Sequence, residues 1–460
     1  MRRRRAKKSK KGILIFCLML TAALILGFAL IQNFGLPNWQ KPSGQAGPGN
    51  TTGIVAENSD VKGSTGETSS LDSAGRTSTA QNSGLPVGDG QQEQTDKIQD
   101  LIDSMTLEEK IGQLVIVGVD GYENDEHSRK LIEENHVGGF ILFKNNIQNS
   151  RQMLDLLNSL KAINAAQNKI PLFLSVDEEG GRVSRMPDEF MKFPSNKEIG
   201  KLNDANLSYN VGRILGEELS AFGFNVDFAP VMDINSNPKN PVIGDRSFGT
   251  TPELVSKLGI ETMKGIQSRN VISVIKHFPG HGDTDVDSHV GLPRVNNSLK
   301  RLKSFELKPF KAAIENNADA VMVAHILLPQ IDAKNPASFS KTIISDILRT
   351  DLNFNGVVIT DDFTMGAITQ NYNIGEAAVK SINAGSDIVL VCHEFDKQKA
   401  VIDSLYNAAQ TGQISIERID RSIYRILKLK EKYKLSDENS GLISSSIIND
   451  QISALFGKNK

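Results

Sequence analysis

The chain has 460 residues and a formal net charge of −2; eight of its 52 basic residues lie within residues 2–11, so the other 44 face 54 acidic residues. A mildly acidic body of this kind argues against a nucleic-acid binder. With only Cys17 and Cys392 there is no disulfide framework, and the folded part must be stable through a sizeable core alone.

The basic flank, residues 1–12, precedes an uncharged apolar run, ILIFCLMLTAALILGFALI, at 13–31. At about 1.5 Å per residue the run comes close to the roughly 30 Å hydrocarbon core of a bilayer. The basic flank keeps the N-terminus in the cytoplasm. A cleaved signal peptide would leave the rest secreted, whereas a retained segment would be a single-pass anchor in the cell membrane with the rest outside. No small-x-small cleavage site follows the run, which favours the anchor. Residues 32–95 are rich in Gly, Ser, Thr, Gln and Asn. Such a segment buries too little apolar surface to offset the entropy of ordering, and reads as a disordered tether.

Folded sequence begins near Asp96. Ile98, Leu101, Ile102 and Met105 recur at helical spacing, and Thr106 with Glu109 makes a capping-box pattern. Apolar strand candidates follow at 111–118, 138–143, 172–177, 226–234, 271–278, 320–326, 356–362 and 387–392. Helical patterns lie between them, for example at 151–164 and 341–353. The strands are apolar on both faces, as parallel strands covered by helices must be. Eight of them predict a single (β/α)8 barrel domain over 96–436, with a doubly wound open sheet as the rival. No Gly-x-Gly-x-x-Gly opens a helix, which weakens nucleotide binding. The last helical pattern is 415–433, and residues 437–460 form a Ser/Asn-rich tail.

Charged residues gather where the apolar runs end. Asp177 runs into EEGGRVSR, the fourth run is followed by GDRSF (244–248), and the fifth ends in Lys276 and His277. The sixth ends near His325 and the seventh in Asp361 and Asp362. In a barrel these are the C-terminal strand ends, where active sites are built. One such residue alone is more often simply where the chain meets water; five ends together point to a site. Asp361 follows the rigid run GVVIT, as suits a nucleophile that must strike one atom. Asp362 beside it can support the loop or cap the next helix. Asp177 and Arg185 flank a Gly-Gly turn that can bring both into one pocket. There they would grip neighbouring hydroxyls or form a structural salt bridge.

The densest stretch is KHFPGHGDTDVDSHVGLP, residues 276–293. His277, His281, Asp283, Asp287 and His289 are ligand types for zinc or manganese. Phe-Pro-Gly and Gly-Asp-Thr interrupt any helical ligand spacing, so no metal and no cofactor is expected. Asp287-Ser-His289 fits proton transfer better. The carboxylate can hold one ring nitrogen while the other faces substrate, keeping the imidazole available as an acid near neutral pH. A buried histidine satisfied by its neighbour is the plain alternative. Asp285 has no separate role, and His281 and Asp283 read as structural.

This stretch, with DEEGGRVSR, GDRSF and ITDDFTM, closely resembles the motifs of the β-N-acetylglucosaminidases of glycoside hydrolase family 3. The resemblance covers roughly residues 96–435, with the four motifs in the family's order. It implies a (β/α)8 barrel and a retaining mechanism without a metal. It assigns Asp361 as nucleophile and His289, paired with Asp287 on a mobile loop, as acid/base. It assigns Asp177, Arg185, Arg246, Lys276 and His277 to substrate binding. Retaining glycosidases ordinarily set two carboxyl groups roughly 5–5.5 Å apart; here the Asp287–His289 pair replaces one of them. The expected activity is removal of terminal β-linked N-acetylglucosamine from cell-wall saccharides by a monomer. A hydrolase of glucosides or another sugar and a non-catalytic wall-binding protein are the rival readings.

Overall fold

A computed structural model describes residues 96–457. The basic flank, the apolar run 13–31 and the segment 32–95 lie outside these residues. Among the described residues no helix is long and apolar enough to cross a membrane.

Eight parallel strands pair in chain order: β1 (Val115–Gly118), β2 (Gly139–Leu142), β3 (Phe173–Val176), β4 (Val226–Asp227), β5 (Ile272–Phe278), β6 (Ala320–Val323), β7 (Val357–Asp362) and β8 (Ile388–Val391). β8 pairs back onto β1, with Val115 opposite Val389 and Val117 opposite Val391. That closure makes the (β/α)8 barrel and excludes the open sheet. It also removes free strand edges, so each strand finds a partner on both sides. β1, β2, β3, β5, β6 and β8 are buried along their whole length, which explains their unbroken apolar runs. β7 is buried up to Thr360 and emerges only at Asp361 and Asp362. Gly118 sits where β1 meets the end of β8, and a Cβ there would lie 1.8 Å from the Cys392 carbonyl oxygen.

The Thr106–Glu109 capping box is present: Glu109 N–H donates to Thr106 Oγ1 at 3.2 Å, and Thr106 N–H to Glu109 Oε2 at 2.7 Å. It starts a helix, Leu107–Gln113, which takes the first residues of the run predicted as strand 111–118. Two orphan donors are satisfied by the helical register, so the strand begins only at Val115. The run 226–234 is likewise shorter in the ladder, with Val226–Asp227 in the sheet and Val231 bridged to Lys276. Pro230 lacks an N–H and cannot continue a central ladder. The segment predicted helical at 341–353 winds as a wide π-helix, Thr342–Asp351.

The helix Ile416–Lys432 closes the N-terminal end of the barrel. Its Lys430 Nζ donates to Gln113 Oε1 at 2.8 Å, Gly138 O at 3.1 Å and Pro171 O at 2.6 Å, and lies over the Phe173 ring. These acceptors precede β1, β2 and β3, so one side chain ties three strand starts. Residues beyond it carry a further helix, Ser445–Gly457, with Ile448 and Ile452 buried. Gln451 Nε2 donates to Glu217 at 2.9 Å and Gln451 Oε1 accepts from Arg213 at 2.9 Å. Ile448 and Ile452, joined by the partly buried Leu455 and Phe456, pack this segment against the core despite its Ser/Asn content.

Candidate active site

The C-terminal strand ends enclose a cavity of about 500 Å³. Asp177, Arg185, Arg246, Lys276, His277, Asp287, His289 and Asp361 all line it. Phe143, Phe228, Val242 and Met322 supply apolar wall.

β5 delivers Lys276 and His277 to the cavity floor. Lys276 is buried and its ammonium lies between two carboxylates, Asp177 at the end of β3 and Glu179 at 2.7 Å. Glu179 also receives Arg246 in a two-pronged pair, at 2.8 Å to Nε and 2.6 Å to Nη2. Burial alone would protonate Glu179, but the Arg246 and Lys276 charges outweigh it and hold the carboxyl well below its ordinary range. Burial opposes the Lys276 charge, and Asp177 and Glu179 overcome that and raise its pKa. The same balance, burial against Glu179, raises Arg246.

His277 has a defined tautomer. Arg246 Nη2 lies 3.2 Å from His277 Nε2, and a guanidinium only donates, so Nε2 accepts. Nδ1 therefore carries the hydrogen and donates to Asp233 at 2.6 Å. Asp233, fully buried, also accepts the His281 N–H at 2.6 Å. Burial pushes the Asp233 carboxyl up, but His277 outweighs it and the net shift is downward. His281 is itself buried, with Nδ1 2.8 Å from Thr284 Oγ1 and Nε2 3.3 Å from Ser288 Oγ. Burial, then the neighbouring His277, lower its pKa to about 4, so it is neutral in ordinary buffers. Hydrogen bonds thus occupy the ring nitrogens of both histidines.

At the end of β7 two adjacent aspartates diverge. Asp362 accepts the N–H groups of Thr364 at 2.8 Å and Cys392 at 2.9 Å, fastening the turn to β8. Asp361 accepts the Asp362 N–H at 2.9 Å, and among the described residues no lysine or arginine pairs with it. Burial opposes its ionisation, but His325, His277, that N–H and His289 together hold its pKa below the usual value. It is therefore an anion with a free oxygen facing the cavity. His325, close by, is buried, with Nε2 2.9 Å from the Asp362 carbonyl and Nδ1 2.7 Å from Ser338 Oγ.

On the loop after β5, Asp287 Oδ1 accepts the His289 N–H at 2.9 Å and lies 2.8 Å from His289 Nδ1. The two-residue spacing lets one carboxylate oxygen fix both the backbone and the ring. Burial works against the Asp287 anion, yet the His289 N–H and ring outweigh it and lower its pKa. Nδ1 is committed to Asp287, so Nε2 is the atom left to exchange a proton.

Glu179 and Asp233 are buried charges that sequence reasoning did not single out. Glu179 lies inside the quoted motif two residues after Asp177, and Asp233 is the last but one residue of the fourth apolar run. The strand-end signal used elsewhere applied to both. Of the two readings of Asp177 and Arg185, the salt bridge does not form; Asp177 pairs with Lys276 instead, and both residues line the cavity. Arg185 is placed through its main chain: Glu178 Oε2 accepts its N–H at 2.6 Å and that of Met186 at 3.3 Å.

Comparison with known proteins fits this geometry. Residues 106–429 match the glycosyl hydrolase family 3 N terminal domain. The chain is 36% identical over 344 residues to beta-hexosaminidase A of Pseudoalteromonas piscicida, covering 70% of this chain but only 57% of that protein's length. It is 32% identical over 348 residues to a beta-hexosaminidase of Nitrosomonas eutropha, covering 74% of this chain and 98% of that one. A solved glycoside hydrolase family 3 beta-N-acetylglucosaminidase from Paenibacillus superposes with a TM-score of 0.73 at 42% identity, over 77% of this chain and 69% of that one.

Proposed function

The chain belongs to glycosyl hydrolase family 3, and from that premise we propose that it removes terminal β-linked N-acetylglucosamine from cell-wall saccharides by a retaining, two-step mechanism. The observation that carries the reading is one cavity holding both an anion, Asp361, with no lysine or arginine partner among the described residues, and an imidazole, His289, whose other ring nitrogen is held by Asp287.

In the first step an Asp361 carboxylate oxygen attacks the anomeric carbon. The bond to the leaving oxygen breaks as His289 Nε2–H gives it a proton. Asp287 stabilises the imidazolium through Nδ1–H. In the second step neutral His289 Nε2 takes a proton from water while that water's oxygen attacks the same carbon, and Asp361 leaves as carboxylate. Two inversions return the original configuration. Asp177, Lys276, Arg246 and Arg185 hold the sugar hydroxyls, with the buried cations already paired before substrate arrives, and His277, whose ring nitrogens are both bonded, acts by bracing Arg246. One chain supplies every one of these residues, which suits a monomer. The apolar run 13–31 and the polar segment 32–95 would tether the domain to the outer face of the cell membrane, within reach of wall fragments.

A direct test compares a chromogenic N-acetyl-β-glucosaminide with the matching glucoside. The proposal expects clear preference for the former and no measurable turnover by Asp361→Asn. Preference for the glucoside would replace the sugar assignment. Normal turnover by Asp361→Asn would remove the nucleophile.

A further inference from the structure

The loop carrying Asp287 and His289 meets the barrel at the turn that follows the nucleophile strand. Ser288 is buried, although His289 and Val290 beside it are exposed. Its carbonyl accepts the Ala367 N–H at 3.0 Å, and its Oγ lies 3.3 Å from His281 Nε2. Gly366 completes this seat. A Cβ at Gly366 would stand 2.5 Å from the His289 carbonyl oxygen and 3.2 Å from the carbonyl carbon. These are main-chain atoms, so no rotamer change relieves the clash. The other close atom, Gln370 Nε2 at 2.9 Å, ends a flexible side chain that can swing away. Gly366 does not have a positive φ, so the backbone itself tolerates alanine. What glycine supplies here is space, not conformational freedom.

We infer that Gly366 is a positioning residue for proton transfer: its bare Cα, with Ser288, seats the loop so that His289 Nε2 meets the leaving oxygen over Asp361. The inference rests on the reading of His289 as acid/base. Gly366 lines the same cavity but has no side chain with which to hold a hydroxyl or move a proton. Because the seat lies five residues after Asp361 in the chain, the nucleophile and the acid/base share one short scaffold.

The test is Gly366→Ala in the full chain, measured on aryl N-acetyl-β-glucosaminides whose phenols range from strongly to weakly acidic. General acid catalysis is worth roughly 10²–10⁴-fold, and an unseated loop loses part of it. The expected result in kcat/KM, which reports the first step, is a loss of roughly tenfold or more for weakly acidic phenols and little loss for dinitrophenol, hence a steeper dependence on leaving-group pKa. With the dinitrophenyl substrate, where the second step limits, added azide should raise the rate and yield the glycosyl azide, as expected for His289→Ala. An equal loss across the series without azide rescue would mean that the alanine displaces Asp361, and would overturn the inference; so would an unchanged profile. Should Gly366→Ala not fold, Ser288→Ala removes the contact to His281 and must show the same steepening, more weakly; an unchanged slope there overturns the seat as well. His289→Ala separates the two ideas. If it lacks the steep slope, the acid/base reading fails. If it has the slope and the seat variants do not, only the seat fails.

Discussion

Lys276 and His289 line the same cavity, yet the Lys276 side chain is 2% exposed and that of His289 68%. Lys276 leaves a strand and is fixed by Asp177 and Glu179. His289 leaves a loop and is fixed by one carboxylate two residues before it. Under the proposed mechanism the difference follows from their tasks. Groups that grip a sugar gain from being rigid and dry, since their ordering cost is met during folding and their fields are strong. A group that must serve the leaving oxygen and then a water has to face the open side of the cavity. Buried charges must also be fully paired to be tolerated, which is why the strand-end layer is a closed set of Asp177, Glu179, Arg246 and Lys276.

The largest expected break is on the buried side. Glu179→Gln removes the negative charge shared by Arg246 and Lys276, keeps a single acceptor oxygen and leaves excess buried positive charge. Breaking such a set costs on the order of 3–5 kcal/mol. Thermal unfolding should show a large fall in Tm together with weakened saccharide binding; an unchanged Tm would mean that the layer is not the closed set described. The loop side breaks differently. His289→Ala should lower turnover of poor leaving groups by roughly 10²–10⁴-fold while leaving Tm nearly unchanged, because the side chain is mostly in solvent.

A smaller effect sharpens the contrast through pH. Glu178, behind the turn that carries Arg185, is fully buried, and burial raises its pKa to about 7. A carboxyl whose pKa is raised in the folded state favours folding below its unfolded pKa, and that contribution is lost as pH rises through about 7. Glu218 and Asp227 beside it are shifted upward by burial as well. Glu178→Gln keeps an oxygen for the Arg185 N–H and cannot ionise. Its Tm should fall less steeply than that of the wild type between about pH 5 and 8. An identical pH profile would show that Glu178 does not titrate in this window.

Much of this was legible because the barrel writes itself in short apolar runs that end in charge. β1 began later than its run because IGQLVIVG fits either a helix end or a strand. The Thr106 cap decides between them by starting a helix. The fourth run overshot because Pro230 interrupts the ladder there. The predicted site residues all reach one cavity, including the Asp287–His289 pair, whose two-residue spacing is local and so readable. Pairings across the barrel were not readable. Asp177 meets Lys276, 99 residues away in the chain, rather than the nearby Arg185. Glu179 and Asp233 act by holding other charges, and in sequence such an acid looks like any other. Gly366 leaves no chemical trace in sequence, because its contribution is a missing side chain.

The central claim is that Asp361 forms the bond to the sugar. Incubation with a 5-fluoro N-acetylglucosaminyl fluoride, whose C5 fluorine slows both steps while its good leaving group, fluoride, keeps formation of the intermediate faster than its breakdown, followed by mass spectrometry of peptides, tests it most directly. The account predicts one added fluoro-sugar on the peptide containing Asp361, and none in Asp361→Asn. A label on Asp362 or on another carboxylate, or turnover of a slow substrate with inverted product and no label, would contradict it.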